Sequence, residues 1–441
     1  MAAVQLGDVQ AAPRGGDRPR RGKELAISPA REAAIREAPA YERGAFPAPA
    51  RRLRVAHINA NFADGSGGIT LREALALDQE RYSSIIIAPE DGSLFDRAEE
   101  AGVEVIRLRR MRRGRRVYPW ADAEALRELS AHLHEGKFDL VHTHAGRAGG
   151  VGRVAAHRVG GCAIVHTFHG FPFNEFQPRV VRRALQTFER RLGRITDYFL
   201  TDGTFVASEA VRLKIAPPER VRAVVSPIDG VPPFSKAARR EARHLLGIPA
   251  GAKVVGTAAR LAVQKAPLDM VRAIAALGRR DVYMVWLGDG ALRAQTERLI
   301  EKEGLSDRFL LVGERDDVPR LLPAFDVFAI SSRWEGLPCS VVEAMTCGIP
   351  VVATAVNSVP EVVISGKTGL VARPGDPASL SRALAYMLDH PAEAARMADA
   401  ARINIGEQFR SDLLGQELME VYDIALEFAS ARLRQAAVSS R

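Results

Sequence analysis

The segment Ser332-Arg333-Trp334-Glu335-Gly336-Leu337-Pro338-Cys339-Ser340-Val341-Val342-Glu343-Ala344-Met345 carries two carboxylates around a turn-forming glycine and a proline. Gly336 permits a tight turn, and Pro338 suits the first turn of a helix, whose opening amides lack internal partners. Those amides, from Leu337 through Cys339 to Ser340, are an anion site of the kind a diphosphate fills. Glu335 in the preceding loop and Glu343 about two turns into the helix are hydrogen-bond acceptors for the hydroxyls of a ligand anchored there. The structural alternative is that Glu335 interacts with the helix dipole and Glu343 pairs with a neighbouring base.

Gly256-Thr257-Ala258-Ala259-Arg260-Leu261-Ala262-Val263-Gln264-Lys265 follows an apolar run. Arg260 and Lys265 are placed to neutralise a departing diphosphate where another protein uses a metal, the alternative being two solvated surface cations. There is no Asp-x-Asp pair and no His/Cys spacing of metal-ligand type, so the expectation is chemistry without a metal and without a cofactor. A third cluster, Asn61-Phe62-Ala63-Asp64-Gly65-Ser66-Gly67-Gly68, allows close backbone approach to a phosphate or sugar and fits a plain turn as well. Its glycines lack the Gly-x-Gly-x-x-Gly spacing of dinucleotide sites. In Val165-His166-Thr167-Phe168-His169-Gly170-Phe171-Pro172-Phe173, His166 reads as packing and His169, beside a glycine, as a candidate for the site. His142 and His144 are weaker candidates of the same type.

These clusters need elements that bring them together, and the chain supplies two series of them. Short apolar runs alternate with amphipathic stretches of helical length: 54–59, 84–88, 103–108, 140–143, 164–168, 198–201 and 221–225, then 254–257, 282–287, 309–312, 327–330 and 351–353. That alternation predicts an α/β architecture of two facing Rossmann-like domains with parallel sheets and a cleft between them. Ser226-Pro227-Ile228-Asp229-Gly230-Val231-Pro232-Pro233 interrupts the pattern as a linker. The expected organisation is a disordered basic leader over 1–50, domains over 51–228 and 229–410, and a C-terminal helix and tail over 411–441 packing back on the domains.

With 441 residues, 47% hydrophobic and 26% charged, the chain has the composition of a globular enzyme, not of a disordered or fibrous protein. Three cysteines are too few and scattered for a disulfide framework, and no apolar run is long enough to span a bilayer. A cytoplasmic protein is the expectation. The formal charge of +9 favours an anionic partner, but no recognisable reading element for nucleic acid is present.

The four clusters, in this order, resemble glycosyltransferase family 4 of the retaining GT-B type. The resemblance covers nearly everything from Leu53 to about Leu433 and rests most on the spacing of Glu335 and Glu343 and on Arg260-Leu261 with Lys265. Leu287-Gly288-Asp289-Gly290 and Val312-Gly313 match as well. It implies that Glu343 holds ribose hydroxyls, Glu335 contacts the transferred sugar, Arg260 and Lys265 bind the diphosphate, and His169 lies near the reacting sugar. It implies further that Gly288 and the backbone of Glu314 and Arg315 line a base pocket, with Gly67 and Gly68 facing the diphosphate from the other domain. Two departures concern acceptor and hinge: Ser226-Pro227-Ile228-Asp229-Gly230 before the linker, and Thr201-Asp202-Gly203 where many members have a Ser-Glu pair.

A run from Arg107 to Arg116, followed by Tyr118 and Trp120, and a basic amphipathic stretch from Arg179 to Arg194 suit an anionic lipid surface, or are solvated charge. Phe171-Pro172-Phe173 resembles transferases that build polysaccharides on lipid carriers. The expected partners are therefore a nucleotide diphosphate sugar, a UDP-sugar first, and a lipid-linked or growing glycan at the inner membrane face. A nucleotide-sugar 2-epimerase on a similar scaffold and a catalytically silent binding module are the competing readings.

Overall fold

The computed structural model describes residues 51–63, 65–111, 119–228, 231, 234–249, 251–409 and 411–439. The leader expected over 1–50 and most of the arginine run, 112–118, lie outside the described residues. Strands β1 (Leu53–Asn59), β2 (Tyr82–Pro89), β3 (Glu104–Leu108), β4 (Leu140–His144), β5 (Ala163–Phe168), β6 (Tyr198–Thr201) and β7 (Val221–Ala223) form one sheet. Its order is β3-β2-β1-β4-β5-β6-β7, with every pair parallel. Strands β8 (Lys253–Ala258), β9 (Val282–Leu287), β10 (Phe309–Gly313), β11 (Val327–Ile330), β12 (Val351–Thr354) and β13 (Leu370–Ala372) form the second, ordered β10-β9-β8-β11-β12-β13.

Both sheets reverse direction of growth between their first strand and the neighbour added fourth, which opens a crevice beyond the strand ends at β1/β4 and at β8/β11. Strands in such sheets are covered by helices on both faces, which is why β1, β4 and β11 are buried along almost their whole length. The sequence pattern predicts every strand except β13, a short strand at the edge of the second sheet.

The helix Ser411–Ser439 follows the second sheet in sequence and packs on the first. Leu414, Leu418, Val421, Tyr422 and Ala425 fill the face made by Val55, Tyr82, Leu140, Val165 and Tyr198. Burying a side chain of Leu or Val size is worth about 2 kcal/mol, so this stripe is a substantial part of the first lobe's core. A Cβ on Gly415 would stand 2.2 Å from the Ala76 carbonyl oxygen, so glycine is what lets this helix cross the helix Ser66–Ala76 closely. Arg432 to Asp197 at 2.9 Å and an Arg81–Asp423 ion pair fasten it along its length.

Candidate active site

The loop after β11 delivers Glu335 to the crevice, and its carboxylate is held on three sides. Lys265 Nζ donates to Oε1 at 2.6 Å, Ser332 Oγ to the same oxygen at 2.5 Å, and Gln264 Nε2 to Oε2 at 3.2 Å. The Glu335 amide donates to Asn357 Oδ1 at 2.8 Å. Lys265 is placed by a short turn, Val263–Lys265, which Ser331 Oγ stitches to the β11 loop through the carbonyls of Lys265 and Ala266 at 2.8 and 3.0 Å. A carboxylate held by three donors is fixed in orientation and keeps acceptor capacity on Oε2, which suits a group that must meet a ligand without rearranging. Glu335 is thus no helix cap.

The helix of this segment spans Cys339–Thr346 with Pro338 as its N-cap residue, so the proline stands one step before the first turn and not within it. Glu343 is accordingly little more than one turn from the start, not two, and half-buried. Leu337, Cys339 and Val342 line a narrow crevice together with Ile69 and Asp202 of the other lobe. Desolvation there, followed by the charge of Glu343, pushes the Cys339 thiol up to about 12.

Arg260 is exposed and stands apart from the Lys265–Glu335 pair in its bonding. The loops after β8 and β9 pack tightly: a Cβ on Gly288 would lie 2.3 Å from the Ala259 carbonyl oxygen, and Gly288 N donates to Gly313 O at 2.7 Å. Gly288 therefore sits between Arg260's loop and the β10 loop, with Glu314 and Arg315 exposed beside it and Arg315 paired to Asp317 at 2.7 Å.

Across the crevice, His169 follows β5 and Asp202 follows the adjacent β6. His169 Nδ1 lies 3.0 Å from each Asp202 oxygen, and its Nε2 is buried with no partner in the protein. Burial works against the imidazolium, but the charge and hydrogen bond of Asp202 prevail and hold the ring's pKa above its usual value. Asp202 is a site residue that sequence reasoning missed, although Thr201-Asp202-Gly203 stood out as a departure. What brings it to His169 is the parallel pairing of β5 and β6, which end at one level.

The lobes touch at backbone level. A Cβ on Gly336 would lie 2.5 Å from the His169 carbonyl oxygen, and one on Gly203 would lie 2.5 Å from Ser358 Oγ. The Glu361 carboxylate accepts from the amides of Thr204 and Phe205, each at 2.8 Å, capping a helix of the opposite lobe. Phe176 packs on Trp334 with ring centroids 5.3 Å apart.

In the glycine-rich loop after β1 the two candidate glycines differ in their surroundings. Gly67 has a local reason to be glycine, since a Cβ would meet the Asn61 carbonyl oxygen at 2.8 Å; Gly68 has ordinary room. Behind this loop lies a group of side chains that the sequence did not join: His57, Glu73, His142 and His144, all buried. Burial drives His57 down to about 3 and the other two imidazoles well below their usual value, and it pushes Glu73 up to about 8. His142-x-His144 on a strand puts two imidazoles on one face, a proximity that the spacing of the residues did not suggest. His166 is interior, bonded to Thr143 Oγ1 at 2.9 Å.

Of the basic run, Arg107 is bonded to Glu99 at 2.7 Å and lies over the Phe95 ring, while Arg110 pairs with Glu124 at 3.5 Å. These two cations are partly neutralised within the protein. The helix Arg179–Gly193 keeps Val180, Val181 and Phe188 exposed among Arg179, Arg183 and Arg191. Among the described residues no helix is long and apolar enough to cross a membrane.

Two parallel-sheet Rossmann-like lobes closed around a crevice with a fixed acid–base pair define a GT-B glycosyltransferase architecture. The comparisons agree. Residues 238–404 match the family model described as glycosyl transferases group 1, and 63–230 match glycosyltransferase family 4. A D-inositol 3-phosphate glycosyltransferase of Streptomyces scabiei is 31% identical over 66% of this chain and 69% of its own length. A UDP-Gal:alpha-D-GlcNAc-diphosphoundecaprenol alpha-1,3-galactosyltransferase of Escherichia coli is 27% identical over 69% of this chain and 80% of its own. The solved structure of Anabaena HepE with UDP and glucose superposes with a TM-score of 0.73 at 20% identity, covering 84% of this chain and all of that one (100%). The chain belongs to glycosyltransferase family 4.

Proposed function

We propose that the protein is a retaining glycosyltransferase that moves a hexose or N-acetylhexosamine from a UDP-sugar to a lipid-linked or growing glycan acceptor at the cytoplasmic membrane face. The observation that carries this reading is the Lys265–Glu335 pair, fixed in the second lobe opposite His169–Asp202 and joined to it through the Gly336–His169 backbone contact. In this reading Lys265, with Arg260 arriving from the crevice mouth, takes the diphosphate on the amides of Leu337, Cys339 and Ser340. Glu343 holds the ribose, Glu335 a hydroxyl of the transferred sugar, and Gly288 with the Glu314–Arg315 backbone the base. Gly67 and Gly68 close over the phosphates from the first lobe.

Cationic donors on the leaving diphosphate make a metal unnecessary for bond cleavage. The C1–O bond to the diphosphate breaks as the acceptor oxygen bonds to C1 on the same face, and the departing phosphate oxygen takes the acceptor proton. His169, with Nε2 free to face the crevice, donates to the sugar near the reacting carbon. Closure of the lobes excludes water and so suppresses hydrolysis.

UDP as carrier is supported by the likeness to HepE, solved with UDP-glucose, and a lipid-diphosphate acceptor by the likeness to the Escherichia coli galactosyltransferase. Peripheral membrane attachment is supported by the apolar and basic face of Arg179–Gly193. The test is turnover of a panel of nucleotide sugars with a polyprenyl diphosphate glycan, read by mass spectrometry, with the product anomer assigned by NMR. Release of UDP with an α-linked product from an α-donor, unchanged when no divalent ion is added, is expected; an inverted anomer or turnover without acceptor sinks the reading. Flotation with anionic vesicles, lost in high salt, is the expected membrane result.

A further inference from the structure

Helix Ser66–Ala76 and strands β1 and β4 converge on one buried spot behind His169. His57 and His142 are register partners on β1 and β4, and His144, two residues further along β4, shares their face. Glu73 reaches them from the helix, with Oε2 3.7 Å from His142 Nδ1 and 3.6 Å from His144 Nε2. One donor atom from each of the four lies within 4.8 Å of all the others. Both ring nitrogens of His57, both of His144 and Oε2 of Glu73 have no hydrogen-bond partner, though these residues are 0%, 0% and 4% exposed. Polar atoms this deeply buried are paired almost without exception, and a set of acceptors aimed at one point is completed by a cation.

We propose that His57, Glu73, His142 and His144 are the four ligands of a structural site for a divalent transition-metal ion, zinc by its donor set. Three imidazoles and one carboxylate are the donors zinc takes in tetrahedral sites, whereas magnesium and calcium demand shells of oxygen. Ligands at about 2.0 Å in a tetrahedron are about 3.3 Å apart, so a modest contraction of the present cluster closes the shell. His142 Nε2 is already bonded to Thr167 Oγ1 at 2.7 Å, the outer partner that orients a metal-bound imidazole, leaving Nδ1 toward Glu73. Nδ1 is bonded to Tyr422 Oη at 2.8 Å, so the ion takes this nitrogen by displacing the hydroxyl of the C-terminal helix. Four protein donors leave no open position for substrate, so the ion's role is to clamp β1, β4 and the helix Ser66–Ala76. His169 is no ligand; its ring stacks on His144 with centroids 5.6 Å apart, so the clamp positions the wall on which His169 rests. This holds independently of the donor and acceptor named above.

The full chain, purified without metal-affinity resin from zinc-supplemented medium, should carry about one zinc per chain by elemental analysis, and cobalt substitution should give the visible bands of a four-coordinate ion. Zinc added to chelator-stripped protein should raise its melting temperature. Glu73→Gln and His144→Gln should each lower the zinc content to about a tenth or less, while His134→Ala on the exposed face of its helix keeps it. Because a buried substitution can unfold the lobe, the wild-type measurements decide alone: no zinc after expression and no thermal response to added zinc overturns the proposal. Zinc retained in both variants overturns it equally, by placing the ion elsewhere.

Discussion

Two buried polar clusters lie in opposite lobes, and they differ in how their atoms are paired. The one around Glu335 is anchored within the protein: Lys265, Ser332 and Gln264 donate to the carboxylate, and Asn357 accepts from its amide. The one around His57 and His144 leaves five side-chain atoms of His57, Glu73 and His144 without a partner. A carboxylate with a donor on each oxygen is a rigid grip that is ready before a ligand arrives, whereas convergent groups without any partner are finished by something from outside. The contrast therefore separates a site that works on a ligand from one that holds a resident group.

The largest effect that tests this contrast is expected from Glu335→Ala. Loss of a fixed carboxylate in a dry site costs roughly 3–4 kcal/mol of transition-state binding, so kcat should fall by about 10²–10³ with KM for the nucleotide sugar little changed. Glu343→Ala should do the reverse and raise KM chiefly; a swap of the two patterns exchanges their roles. Next is Lys265→Met, which strands the Glu335 carboxylate in a buried position; urea unfolding should show a loss of about 3 kcal/mol, and no loss would mean that the pair is not held as described. His57→Leu sharpens the comparison from the other side. With an ion present it should lower stability by about 1–3 kcal/mol, whereas an increase would show that the imidazole was merely an unpaired polar group. The smallest change is expected from Glu361→Gln, which weakens a cap across the lobes by about 1 kcal/mol and should loosen closure, seen as a larger radius of gyration in solution scattering.

How much of this could be read from the residues depends on how local each feature is. Glu335, Gly336 and Lys265 sit in two short loops directly after strands, so strand ends alone place them at the crevice. Asp202 needs the pairing of β5 with β6 to meet His169, and a sequence motif cannot show a pairing. His57 was hidden inside the apolar run of β1 and Glu73 inside a helix, and only the β1–β4 register brings them to His142 and His144. The error at Pro338 is one of helix phase: φ of −75° and ψ of 106° make it the residue that enters the helix, a distinction of one position that propensity does not resolve. At Gly67 the need for glycine has a second cause that a motif does not reveal, the close approach of the Asn61 carbonyl oxygen.

The helix Ser411–Ser439 leaves the second lobe to complete the core of the first. During synthesis, the sheet of β1 to β7 emerges from the ribosome long before Leu414, Leu418, Val421 and Tyr422 exist to cover it. The nascent first lobe must therefore wait with an apolar face bare, in need of a chaperone or at risk of sticking to its neighbours. A nonsense codon ahead of Leu414 removes that cover and damages the half of the protein made first.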